Sequence, residues 1–150
     1  MGFGDDFPDL TQEKYPNLLP GTYEVTSPRS REYNCVAWAA GSDADCWWPF
    51  EDYYWPPGVR SDETLEAFVE AFGTLGYQGC SDGSLEEGWE KIAIFATSTG
   101  EPTHVARQLA TGKWTSKLGG SKDISHDLTA VSGPNYGEPA IFLRRHWRDG

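Results

Sequence analysis

The sequence predicts an α+β domain, with two helices packed on one face of an antiparallel sheet of about four strands. Three observations carry this. Leu65, Phe68, Val69, Phe72 and Leu75 recur at helical spacing. Trp89–Ala96, Thr103–Leu109 and Lys113–Leu118 are strand-like segments cut apart by Gly- and Pro-containing turns. The helical segments precede the strands instead of alternating with them, which points to an antiparallel meander.

Taken in order, residues 1–32 are rich in Pro, Gly and charge and read as an N-terminal arm. Within it Gly21–Thr26 is a candidate short edge strand. Residues 33–150 then form a single domain. The first helix is expected from Asn34 to Gly41, with Asn34 as its cap and Cys35 at its first position. A loop follows with Trp47, Trp48, Phe50, Tyr53, Tyr54 and Trp55 interrupted by prolines, too broken for a regular element. Ser61-Asp62-Glu63-Thr64 starts the second helix, which Gly73 or Gly76 ends. Tyr77 to Gly88 is a turn-rich connection ahead of the three strands. Ser121 to Val131 is expected as a short helix, and Pro139–Arg145 as the last strand.

Composition narrows the function. The chain of 150 residues carries a net charge of −11, from 12 basic and 23 acidic side chains. A nucleic-acid partner needs phosphate-neutralising Lys and Arg, so none is expected; a basic protein partner suits the charge better. No apolar run is long enough to span a membrane, and the N-terminus has no basic-then-apolar secretory pattern. Three cysteines, an odd number, point to free thiols in the cytoplasm, though export by a non-classical route stays open. No metal signature, phosphate-binding glycine loop or cofactor motif is present in the sequence.

The site argument begins at Cys35. A thiol in the first turn of a helix meets free backbone N–H groups and the positive end of the dipole, which favour a thiolate. A three-residue turn at Ala110-Thr111-Gly112 pairs Leu109 with Lys113, and therefore Ala106 with Ser116 and His104 with Leu118. Alternation then places His104, Ala106, Gln108, Trp114, Ser116 and Leu118 on one face. Arg107, Lys113, Thr115 and Lys117 share the other, which is expected to be solvent. On this reading the helices cover the His104 face, and Cys35, His104 and Ser116 converge as nucleophile, base and orienting group. Asp123 and His126 are rivals of Ser116 for the third place.

Tyr33-Asn34-Cys35-Val36-Ala37-Trp38-Ala39, Pro102-Thr103-His104-Val105-Ala106-Arg107-Gln108 and Trp114-Thr115-Ser116-Lys117-Leu118-Gly119 resemble the nucleophile helix, histidine strand and third-residue strand of papain-like, NlpC/P60 and transglutaminase-like cysteine hydrolases. From about residue 18 to about residue 145, the same blocks also resemble an uncharacterised bacterial domain family. The first resemblance implies a papain-like fold. It also implies a cysteine-dependent hydrolase or acyltransferase acting on peptide or protein amides, as peptidase, amidase or glutamine deamidase. Two departures stand out: papain's oxyanion-hole Gln, six residues before the nucleophile, is here Arg29, and its third residue, an Asn, is here Ser116. Asn34 or the Cys35 backbone N–H would then hold the oxyanion. Trp38, Trp47, Trp48, Trp55 and Trp114 would line the substrate groove. Two other readings are a non-catalytic acidic interaction domain on the same fold, and a toxin or effector using the same chemistry.

Overall fold

A computed structural model describes residues 23–27, 33–41, 46–49, 53–117, 123–133 and 136–146. Seven strands form a single sheet: β1 (Glu24–Ser27), β2 (Gln78–Cys80), β3 (Trp89–Ala96), β4 (Pro102–Gln108), β5 (Trp114–Lys117), β6 (Asp123–His126) and β7 (Glu138–His146). Their spatial order is β1-β6-β5-β4-β3-β7-β2, and every neighbouring pair is antiparallel. The described helices are α1 (Cys35–Ala39) and α2 (Leu65–Gly73), with a 3₁₀ turn at Leu128–Val131.

This corrects the expected papain-like layout of helices on a sheet of about four strands. The described part of the chain is sheet-dominated, and the two α-helices within it have five and nine residues. The additional strands come from segments read otherwise. The Tyr77–Gly88 connection supplies β2. The helix expected over Ser121–Val131 is instead strand β6 followed by the 3₁₀ turn. Asp123-Ile124-Ser125-His126 is buried on both sides, with Asp123 facing one core and Ile124 the other, and a strand serves two faces at once. The candidate strand in the arm forms as β1 and pairs with β6 at the sheet edge. Apart from Tyr23, the rest of the arm lies outside the described residues, as does Leu118.

Local chemistry sets the helix ends. Asn34 accepts a bond from the Ala37 N–H at 3.0 Å and so caps α1. Within Ser61-Asp62-Glu63-Thr64 the cap of α2 is Thr64: its hydroxyl accepts from the Ala67 N–H at 3.1 Å while donating to Asp62. From α2, Phe68 and Phe72 are fully buried, each contributing roughly 1.5–3 kcal/mol of apolar burial.

The sheet separates two cores. On one side α1, α2 and the aromatic loop pack on Ile92, Ile94, Val105 and Leu143. On the other, Ala93, Phe95, Ala106, Trp114 and Ile124 meet Val131 and Tyr136. Loop 81–88 lies over this second face: the Gly83 carbonyl accepts from Gln108, and buried Lys91 reaches Asp82 and Glu86. No helix among the described residues is long and apolar enough to cross a membrane.

Candidate functional site

The hairpin register forms as the turn dictates. Leu109 N–H donates to the Lys113 carbonyl at 2.7 Å, Gln108 pairs with Trp114, and Arg107 with Thr115. His104 and Ser116 therefore share a face, and the Ser116 hydroxyl lies 2.9 Å from His104 Nε2. The face that α1 covers, however, is the other one. Trp38 donates from its indole N–H to the Thr115 hydroxyl at 2.9 Å, and the Arg107 guanidinium sits 5.5 Å from the same ring. Lys117, fully buried, places its ammonium 5.1 Å from the Tyr33 ring. The charged face thus lies beneath the helices, and the His104 face is the second core.

Cys35 and His104 are consequently not brought together. Cys35 packs in the helix-side core with Val105, whose backbone bonds the sulfur. His104, the preceding residue of β4, projects through the opposite face; its ring stacks on Tyr136 at 4.0 Å and meets Phe95 edge-on. Their protonation states point the same way. Burial pushes the Cys35 thiol up to about 11, against backbone hydrogen bonds from Val105, Val36 and Cys35 and the positive field of Lys117. Burial, with His126 beside it, holds His104 well below the ordinary histidine range. A neutral thiol and a neutral imidazole on opposite sides of a sheet are not an ion pair.

What the second core does assemble is a relay of two histidines and a serine. Ser116 Oγ is also 2.7 Å from His126 Nε2, and His126 Nδ1 is 2.6 Å from the Asp127 carbonyl oxygen. The proton positions follow from the partners. A carbonyl only accepts, so His126 Nδ1 carries a proton. Burial lowers His126 to about 4, so at neutral pH its Nε2 is bare and accepts from the Ser116 hydroxyl. Ser116 Oγ then accepts from His104 Nε2–H, and His104 Nδ1 is left as a buried nitrogen with no hydrogen-bond partner. All three side chains are fully buried, so the relay meets no solvent.

The remaining expected site residues have structural partners. Asn34 uses both ends of its amide on Trp47, accepting from its N–H at 3.0 Å and donating to its carbonyl at 2.8 Å, besides capping α1. The Asn34 amide is thereby fixed against Trp47 and the start of α1, away from the His104 face. Trp47 packs on Tyr54 and Phe72; Trp48 and Trp55 flank Phe68. Trp48 donates to Glu63 and Trp55 to the Arg60 carbonyl. Trp114 belongs to the second core and so cannot line a groove with the other four. Asp123 sits on the helix side, accepting from the Tyr33 hydroxyl at 2.5 Å. His126, a rival of Ser116 in the sequence, and Tyr136, not singled out there, complete the His104 environment. The alternation of Ile124 and His126 was the available signal for the first.

No group of His, Cys, Asp and Glu among the described residues is arranged to hold a metal ion. Residues 24–144 match the family described as a domain of unknown function, DUF7689, and the chain belongs to that family. No curated protein and no solved structure matches the chain.

Proposed function

We propose that this DUF7689 chain is a non-catalytic interaction domain whose acidic surface meets a basic segment of a partner protein. The observation that carries the reading is the placement of Cys35 and His104 on opposite faces of β4, each sealed in a core. With Cys35, His104 and Ser116 all buried away from solvent, recognition falls to the exterior. There the net charge of −11 favours a Lys- or Arg-bearing partner by electrostatic steering.

A cysteine-dependent hydrolase or acyltransferase is the second reading. It is favoured by the backbone groups of Val105, Val36 and Cys35 and by the Lys117 charge, which lower the Cys35 thiol against the larger opposing effect of burial. Peptide or protein amides would be its substrates, in the cytoplasm.

Two measurements separate the readings. The first is a display selection of random peptides on the folded domain. It is expected to enrich sequences with Lys or Arg beside apolar residues; enrichment of none, or of acidic peptides, rejects the interaction reading. The second is iodoacetamide labelling of the native protein across pH, read by peptide mass spectrometry. Cys35 is expected to react more slowly than half-exposed Cys46 and Cys80 at every pH. Fast labelling of Cys35 near neutrality would instead establish an activated thiol and favour the enzyme.

A further inference from the structure

We infer that the groove between α2 and β7 docks a segment of a partner protein carrying an apolar side chain flanked by Lys or Arg. The inference rests on the interaction reading above and gives it a place. The groove has a volume of about 480 Å³ and is bounded by Leu65 and Val69 of α2, by Ile141 of β7, and by Glu66 and Glu70. Leu65, Val69 and Ile141 are all half-buried: they belong to the edge of the helix-side core and still present apolar surface outward. Among the described strands β2 covers β7 only at Phe142–Arg144, so no described strand pairs with that side of β7 at Ile141.

Charge selects the occupant. Glu70 already holds the Arg60 guanidinium at 3.1 Å, which demonstrates that this rim accommodates such a group. Glu66, exposed one turn earlier, makes no ion pair among the described residues. Glu138, exposed at the start of β7, adds negative charge on the strand that carries Ile141. A second copy of the chain also has a net charge of −11, which disfavours self-association over a basic partner. An apolar side chain in the groove with a basic residue on Glu66 satisfies both features.

The probe is a fluorescein-labelled peptide of alternating Lys and Leu, compared with the same peptide in which Ser replaces Leu. Binding is followed by fluorescence anisotropy at about 150 mM salt, where long-range attraction is damped. Wild type is expected to bind the Leu peptide at least tenfold more tightly than the Ser peptide. Glu66→Lys is expected to weaken Leu-peptide binding about tenfold, and Val69→Ser at least threefold. Glu101→Lys, on an exposed turn remote in sequence from the groove, makes the same change in charge and should have little effect. Equal weakening by Glu66→Lys and Glu101→Lys, or equal affinity for both peptides, overturns the groove and leaves the interaction reading standing. No binding of the Leu peptide by a domain that does enrich peptides in selection also rejects the groove alone, whereas a domain that enriches none rejects both.

Discussion

His126 Nε2 sits 2.7 Å from the Ser116 hydroxyl and accepts its proton's hydrogen bond only while the His126 ring is neutral. Protonating it turns an acceptor into a donor and leaves the serine proton without its partner. Burial has lowered His126 to about 4, whereas in the unfolded chain it titrates near ~6.5. The lowered value fixes the sign. The associated stability is complete above pH ~6.5 and is lost as pH falls toward 4. The loss should reach about 2–3 kcal/mol by pH 4.5, and His104, lowered for the same reason, adds in the same direction. Urea unfolding at pH 7 and pH 4.5 measures it. His126→Leu should flatten the difference; an unchanged difference in that variant would assign the acid sensitivity elsewhere.

Ser116 is the shared member of the relay, so its loss orphans a nitrogen on each histidine. Ser116→Ala is expected to cost about 2–6 kcal/mol, since each of the two unsatisfied buried groups costs roughly 1–3. Combined with His104→Phe the losses should be sub-additive, because the two changes remove one common bond. Strict additivity in a double-mutant cycle by chemical denaturation would show that the 2.9 Å contact carries no energy.

The hairpin register was legible because a three-residue turn leaves few ways to pair Leu109 with Lys113, and β3 emerges as the apolar run of Trp89–Ala96. The identity of the covered face was not. Arg107, Thr115 and Lys117 look like a solvated row, but neutralisation inside the fold reverses that. Trp38 and Tyr33 lie over Arg107 and Lys117, and half-exposed Arg107 also faces buried Glu90 at 3.8 Å. Glu90 and Tyr33 stand far from these residues in sequence, so no local pattern announces the pairing. The error at the candidate site follows from this one inversion, since it moved His104 to the side of Cys35. The strand Asp123–His126 was missed for a related reason: its polar residues resemble a helix start when only one face is imagined buried.

Lys91 is 1 % exposed, with its ammonium 2.7 Å from Glu86 and 2.9 Å from the Asp82 carbonyl. Removing the charge and removing its partner should differ. Lys91→Met deletes the buried ammonium while its carboxylate partners rehydrate, and should cost about 1 kcal/mol or less. Glu86→Gln leaves the ammonium buried without its nearest counter-ion and also releases Arg144, so it should lower the melting temperature further. Limited proteolysis should then cut within 81–88 faster in Glu86→Gln than in Lys91→Met. The reverse order would mean that Lys91 acts through its aliphatic stem.

Gly137 and Gly100 share a positive φ, +77° and +89°, but only one has room for a side chain. A Cβ at Gly100 meets nothing, so Gly100→Ala should cost only the left-handed backbone, about 1–2 kcal/mol. A Cβ at Gly137 would stand 2.0 Å from the Ala96 carbonyl oxygen, a backbone atom that cannot swing away. Gly137 also exchanges two backbone bonds with Gly133 and follows Tyr136, the residue stacked on His104. Gly137→Ala should therefore destabilise several-fold more than Gly100→Ala and loosen the His104 ring as well. Thermal melts rank the two variants, and histidine Cε1–H chemical shifts report the ring. If Gly137→Ala melts like Gly100→Ala with an undisturbed His104 resonance, the close approach to β3 does not hold the relay in place.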